Sequence, residues 1–214
     1  MSFTQNMHIP GWKRYRFVML SSLSAIALIV ATSFGFPAFA QSGSAVSQLP
    51  SQDQATLQSG RVTLSGSNGQ YTVRVLVSAP TATAWSVLTD YNNFSRFFPS
   101  VAESRLLRSE GNQRVFEQIN VIRIFPISRR SRIVIAATES YPQRIAFNLV
   151  EGDVDSLQGT WQLEPISSNQ VLITHQVNVE PESSTPRGIF FNIYQNTLQD
   201  TLAALKQEAE RRNQ

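Results

Sequence analysis

Residues 186–212 read PRGIFFNIYQNTLQDTLAALKQEAERR. Phe190, Tyr194, Thr197, Leu198, Thr201, Leu202 and Leu205 recur at intervals of three and four, which places them along one side of an α-helix. Glu208, Glu210, Arg211 and Arg212 end it in polar style. A long helix with one apolar side must cover something. The 80 or so residues before it supply the partner. Apolar runs suited to strands fall near 101–108, 113–124, 131–139, 144–151, 157–165 and 171–180. They are broken at Glu110-Gly111-Asn112, Pro126 to Arg130, Tyr141-Pro142-Gln143, Gly152-Asp153 and Ser167-Ser168-Asn169. Breaks this short join antiparallel neighbours. The economical solution is a curved antiparallel sheet wrapped around the helix, an α+β fold of two layers.

Upstream, Arg61 to Ser65 and Tyr71 to Val77 flank Gly66-Ser67-Asn68-Gly69, the pattern of a β-hairpin. Pro80 then suits a first helical turn, with Ser78 or Thr81 as cap candidates, and Ala84, Trp85, Val87 and Leu88 form its apolar stripe. The stretch DYNNFSRFFPSV at 90–101 places Tyr91, Phe94, Phe97 and Phe98 in an irregular elbow. Two roles are open for it: a gate whose Phe94 or Phe97 faces outward, or a plug in which all four rings fill the end of the sheet.

Residues 41–59, rich in Gln and Ser, read as a disordered tether. Ahead of them, Lys13, Arg14 and Arg16 precede an apolar run from Phe17 to Phe36, which ends in Ala38-Phe39-Ala40. That is the layout of a secretory signal peptide over 1–40. The run is also about as long as a bilayer span, so an uncleaved anchor at 17–36 is the alternative. Either way an exported domain is expected over 60–212.

Three of the eighteen Lys and Arg residues lie in that leader, leaving fifteen against fifteen acids. The remainder is formally neutral, which argues against binding nucleic acid. There is no cysteine, and only His175 remains beyond the leader. Thiolate catalysis, cysteine-bound zinc and multi-histidine metal sites are therefore excluded. No phosphate-binding glycine loop or nucleophile elbow appears, and no cofactor is expected.

Several stretches, in this order, resemble a known family. They are Ala84 to Tyr91, Phe97-Phe98-Pro99-Ser100-Val101 followed by Ser104 to Leu107, Phe116-Glu117-Gln118, Val150-Glu151-Gly152-Asp153, and Gly159 to Pro165. Together with the closing helix they resemble the START-like (SRPBCC) superfamily of polyketide cyclase/dehydrase, lipid-transport and coenzyme Q-binding-like proteins. Exported cyanobacterial and plastid members are the nearest in pattern. The resemblance spans roughly residues 70–212. It implies a helix-grip fold with a cavity between sheet and C-terminal helix. Such a cavity takes a lipid, sterol, quinone, isoprenoid, pigment or polyketide. Taken with the leader, the expected location is the periplasm or the thylakoid lumen, and the domain is expected to be a monomer with peripheral membrane contact.

On that reading the cavity walls are Phe116 or Glu117, Phe147, Trp161, Ile173, Tyr194, Leu198 and Leu202, with Tyr91 and Phe98 at the mouth. Glu117 alternates with Val115, Ile119 and Val121, so either its face or that of Phe116 points inward. Glu151 follows Ile145, Phe147 and Leu149 and is placed at a rim, paired with Arg132 or Arg144. His175 lies on the apolar face of Val171, Ile173, Val177 and Val179, as a ligand-orienting group, a weak candidate base or a hydrogen-bonded core residue. Gly159 leaves room for a close approach beside Trp161. Arg129, Arg130 and Arg132 form a cluster for lipid headgroups or a solvated hairpin tip. Burial of an apolar ligand is the leading function. A cyclase or dehydratase needs titrating groups that converge in the cavity, and a membrane-surface interaction module needs a filled core.

Overall fold

The computed structural model describes residues 44–124 and 127–214, with side chains except at 122–124 and 127–128; the leader read at 1–40 lies outside them. One sheet of eight strands runs in the order β1-β2-β8-β7-β6-β5-β4-β3, every pair antiparallel. The strands are β1 (Thr63–Ser67), β2 (Gln70–Val77), β3 (Val101–Glu110), β4 (Gln113–Ile124), β5 (Ile127–Ser140), β6 (Arg144–Gly152), β7 (Ser156–Ser167) and β8 (Gln170–Glu180). Helices α1 (Ser51–Gln58), α2 (Thr81–Leu88), α3 (Phe94–Phe97) and α4 (Arg187–Arg212) complete it. This is the expected α+β arrangement, a curved antiparallel sheet holding one long C-terminal helix.

The hairpin turn is made by Asn68 and Gly69, both with positive φ (52° and 91°), the pair of conformations a tight two-residue turn requires. In α2, Pro80 takes the N-cap position and neither Ser78 nor Thr81 caps it with a side chain. Strand β5 begins at Ile127, not at 131, because Ser128 to Arg130 pair with β4.

The segment read as a tether is folded from Ser44 onward. Ala45–Gln48 form a 3-10 turn and α1 follows it. Val46 and Leu57 pack on Leu172, Leu76 and Ile166 of the sheet. Leu172 belongs to the face of β8 turned away from the main core, and this strap keeps it 2% exposed. A few apolar residues at the right places outweigh the polar average of the segment.

Helix α4 packs on β1, β2, α2 and α3. From its middle onward it fills the core with Leu198, Leu202, Leu205 and Ala209. Arg212 fastens that end, pairing with Asp90 at 2.8 Å and Glu208 at 2.7 Å, and lies 5.5 Å from the Phe97 ring centre. Strands β4 to β6 receive no such cover from α4, and the space above them stays open.

Bulges break alternation where the sheet needs it. In β6 the pairing steps from Val134↔Glu151 to Ile135↔Leu149, so Val150 is skipped and stands 55% exposed. In β3 the register shifts between Val101 and Glu103 and again between Leu106 and Arg108, leaving Leu107 45% exposed.

Candidate functional site

A cavity of about 560 Å³ lies between the N-terminal half of α4 and strands β4 to β8. It falls within the range of sites that bury drug-sized molecules. Of the residues predicted for its wall, Tyr91, Phe98, Phe116, Phe147, Trp161, His175, Tyr194 and Leu198 line it. Ile173 and Leu202 do not: both are fully buried (0% exposed) in the filled core, where α4 lies closest to β2.

Glu117 faces the opposite side of β4. Phe116 points inward, because its partner across the ladder is Ile135, a cavity residue. Glu117 is instead paired with Arg105 at 2.9 Å and Arg132 at 2.6 Å on the outer face. Its carboxyl is held below the usual carboxylate range, chiefly by Arg132 with Arg105 adding. Arg132 also pairs with Glu151, which the bulge at Val150 has turned outward. A ladder of charges thus runs Arg105–Glu117–Arg132–Glu151 across four strands, and it holds no group inside the cavity. Arg130 pairs with Glu103 nearby. Arg129 is the member of its cluster that reaches the cavity mouth, together with Asp153, Thr185 and the 54% exposed Ile189.

The elbow is a plug. Tyr91, Phe94 and Phe98 are 5%, 5% and 6% exposed, and Phe97 is half-buried beneath Arg212. Tyr91 stacks toward Phe116 at 4.6 Å between ring centres, and Phe94 lies 5.1 Å from Phe98. The Tyr91 hydroxyl donates to Glu139 at 2.8 Å, and Glu139 pairs with Arg114 at 3.1 Å. Burial, then this carboxylate, raises the Tyr91 pKa. Leu106 N–H donates to Asn92 Oδ1 at 2.8 Å, and Ser104 donates to the Tyr91 carbonyl, so the elbow is stitched to β3.

His175 sits on the inward face, 5% exposed, opposite Trp161 on β7 and Val73 on β2. Its ring stacks on Trp161 at 3.7 Å and faces Phe147 at 5.6 Å between centres. Gly159 makes this possible. A Cβ there would meet the Gln176 carbonyl oxygen and, at 2.7 Å, Phe147 Cζ. The ring of Phe147 uses that room to cross β7 toward His175. Burial pushes the imidazole pKa down to about 3, against a smaller upward effect from the Thr160 carbonyl. Tyr194 keeps surface along the cavity but is closely surrounded, and desolvation holds its hydroxyl above the ordinary range.

The remaining polar lining is uncharged: Ser100 before β3, Gln118 and Asn120 on β4, Ser131 on β5, Thr197 and Thr201 on α4. Alternation on β4 would have found Gln118 and Asn120, had the Phe116 face been taken as inward. Among the described residues no helix is long and apolar enough to cross a membrane, and no cluster of metal-binding side chains occurs.

A family model described as polyketide cyclase / dehydrase and lipid transport matches residues 77–206. Solved structures of similar fold include a STAR-related lipid transfer protein of Xanthomonas axonopodis (20% identity, TM-score 0.56, covering 69% of this chain and 92% of that one). The Zhui aromatase/cyclase of a Streptomyces species is also similar (15%, TM-score 0.58, 72% and 97%). So is a START superfamily protein of Mycobacterium smegmatis (17%, TM-score 0.58, 67% and 99%). At these identities the likeness is one of fold. A search of curated proteins finds no match.

Proposed function

We propose that this chain, which belongs to the polyketide cyclase / dehydrase and lipid transport family, binds a hydrophobic small molecule in the cavity beneath α4. One observation carries the reading: the 560 Å³ space is walled by Phe, Tyr, Trp and aliphatic side chains, with uncharged polar groups between them and charge, from Arg129 and Asp153, only at the mouth. Apolar surface leaving water for such a wall gains about 25 cal/mol per Å². The cavity also weakens the case for an interaction module with a filled core.

A cyclase or dehydratase draws less support. Glu117 and Glu151 are tied to Arg132 on the outer face, whereas His175 is inside. The three groups that such chemistry would bring together are divided by the sheet. Export, with the leader removed or kept as an anchor, remains part of the proposal and is supported by residues 13–40 of the sequence alone.

The test is native mass spectrometry of the protein purified from its own host, followed by solvent extraction. A reproducible apolar molecule released from the protein is the expected result. A clean apo mass, with no thermal stabilisation by any lipid, isoprenoid or quinone, sinks the reading.

A further inference from the structure

The ring nitrogens of His175 are not equivalent. Nδ1 lies 3.3 Å from the Thr160 carbonyl oxygen. A carbonyl can only accept, so Nδ1 carries the proton. Nε2 is then a bare lone pair on a side chain that is 95% buried, that is, 5% exposed. It has no protein partner among the described residues. The side-chain polar atoms there that are both unpartnered and sealed from any space are Thr63 Oγ1 and Thr160 Oγ1. Nε2 is not one of them, so it opens into the cavity that His175 lines. The stack with Trp161 and Phe147 fixes the plane of the ring and hence the direction of the lone pair.

We propose that the molecule held in this cavity carries a hydroxyl group, as an alcohol or phenol, and that its O–H donates to His175 Nε2. This rests on the binding reading above and names its ligand class. A ketone, quinone, ether or ester oxygen only accepts. Placed here it would set lone pair against lone pair and leave both unsatisfied. A hydrocarbon would leave Nε2 without a partner in an apolar wall. A carboxylate adds the cost of burying charge to the same mismatch. The imidazole does not gain a second proton near neutral pH, and moving its one proton to Nε2 would give up the Thr160 contact at Nδ1. A site built this way discriminates most strongly against the analogue that lacks the hydroxyl. For a redox pair of otherwise equal shape, it selects the hydroquinone over the quinone.

The experiment uses a matched pair, 4-nonylphenol and 4-nonylanisole, titrated into the purified chain and followed by tryptophan fluorescence and calorimetry. The phenol is expected to bind about tenfold more tightly than its methyl ether, one hydrogen bond's worth. In His175→Phe, which keeps a flat ring in the stack, the phenol should lose its advantage and the two probes should bind alike. A wild-type readout guards against a variant that does not fold. The His175 Nε2 resonance in a nitrogen-15 correlation spectrum should shift on adding the phenol and not the ether. Equal binding of both probes, or an unmoved Nε2 resonance with phenol bound, overturns the hydroxyl assignment and leaves the cavity reading standing. Binding of neither probe overturns the hydroxyl assignment, and a clean apo mass beside it overturns the cavity reading as well.

Discussion

Burial that holds His175 neutral has a cost the unfolded chain does not share. The folded imidazole has its pKa pushed down to about 3, while the free side chain titrates near 6.5. Between those values the unfolded chain binds the extra proton. Stability is therefore complete above about pH 6.5 and falls as the pH drops toward 3, by up to about 1.4 kcal/mol for each pH unit. Urea unfolding at pH 7 and pH 5 should show this slope, and His175→Phe should flatten it; an unchanged slope would place the acid sensitivity elsewhere. The inward position of His175 and Trp161 was legible because β7 and β8 alternate cleanly. Glu117 was not legible, since both faces of β4 carry apolar residues. What decides between them is Arg105 and Arg132, on strands adjacent in space. Glu151 makes the expected ion pair with Arg132, but its rim position was not legible, because a single skipped residue, Val150, turns it to the outer face and nothing in the local sequence announces it.

At the scale of elements, the strands and the long helix were readable from periodicity and turn chemistry, and the strap formed by residues 44–58 was not. Its signal is three well-placed apolar side chains, Val46, Leu49 and Leu57, in a segment otherwise composed of Gln, Ser, Ala and Thr with little else. Average composition hides such a contact. Leu57 is 1% exposed. Leu57→Ala is expected to cost about 2–5 kcal/mol, as for other fully buried leucines. Chemical denaturation would measure it, and a loss below about 0.5 kcal/mol, the size of an ordinary surface change, would mean that the strap is not part of the cooperative unit. The two halves of α4 differ in kind. The last two turns are held by Asp90, Glu208 and Ser78, the last of which donates its N–H to Glu210 at 2.9 Å. The first two turns carry Phe190 and Tyr194 along the cavity.

The whole molecule combines a filled core at one end of the helix with an unfilled one at the other. If the open end exists to hold a ligand, closing it should cost binding without costing the fold. Ala137 lies on the cavity wall and is 3% exposed, so Ala137→Phe would place a ring in the space. The expected result is a melting temperature equal to or above that of the wild type, together with a loss of ligand affinity of more than about tenfold, the discrimination a few lost contacts supply. Unchanged affinity in a correctly folded variant would move the binding site elsewhere. In the sheet that frames this cavity β1 and β3 stand at the two ends of the order, each paired with a strand on one side only among the described residues. Strand β1 is five residues long. Strand β3 is twice that length, and an exposed run of unpaired N–H and C=O groups is a template for another chain. Its two bulges interrupt that template, and Glu103, Arg105, Arg108 and Glu110 stud it with charge. The irregularities that leave Leu107 in solvent thus protect the protein against growing, strand by strand, into an aggregate.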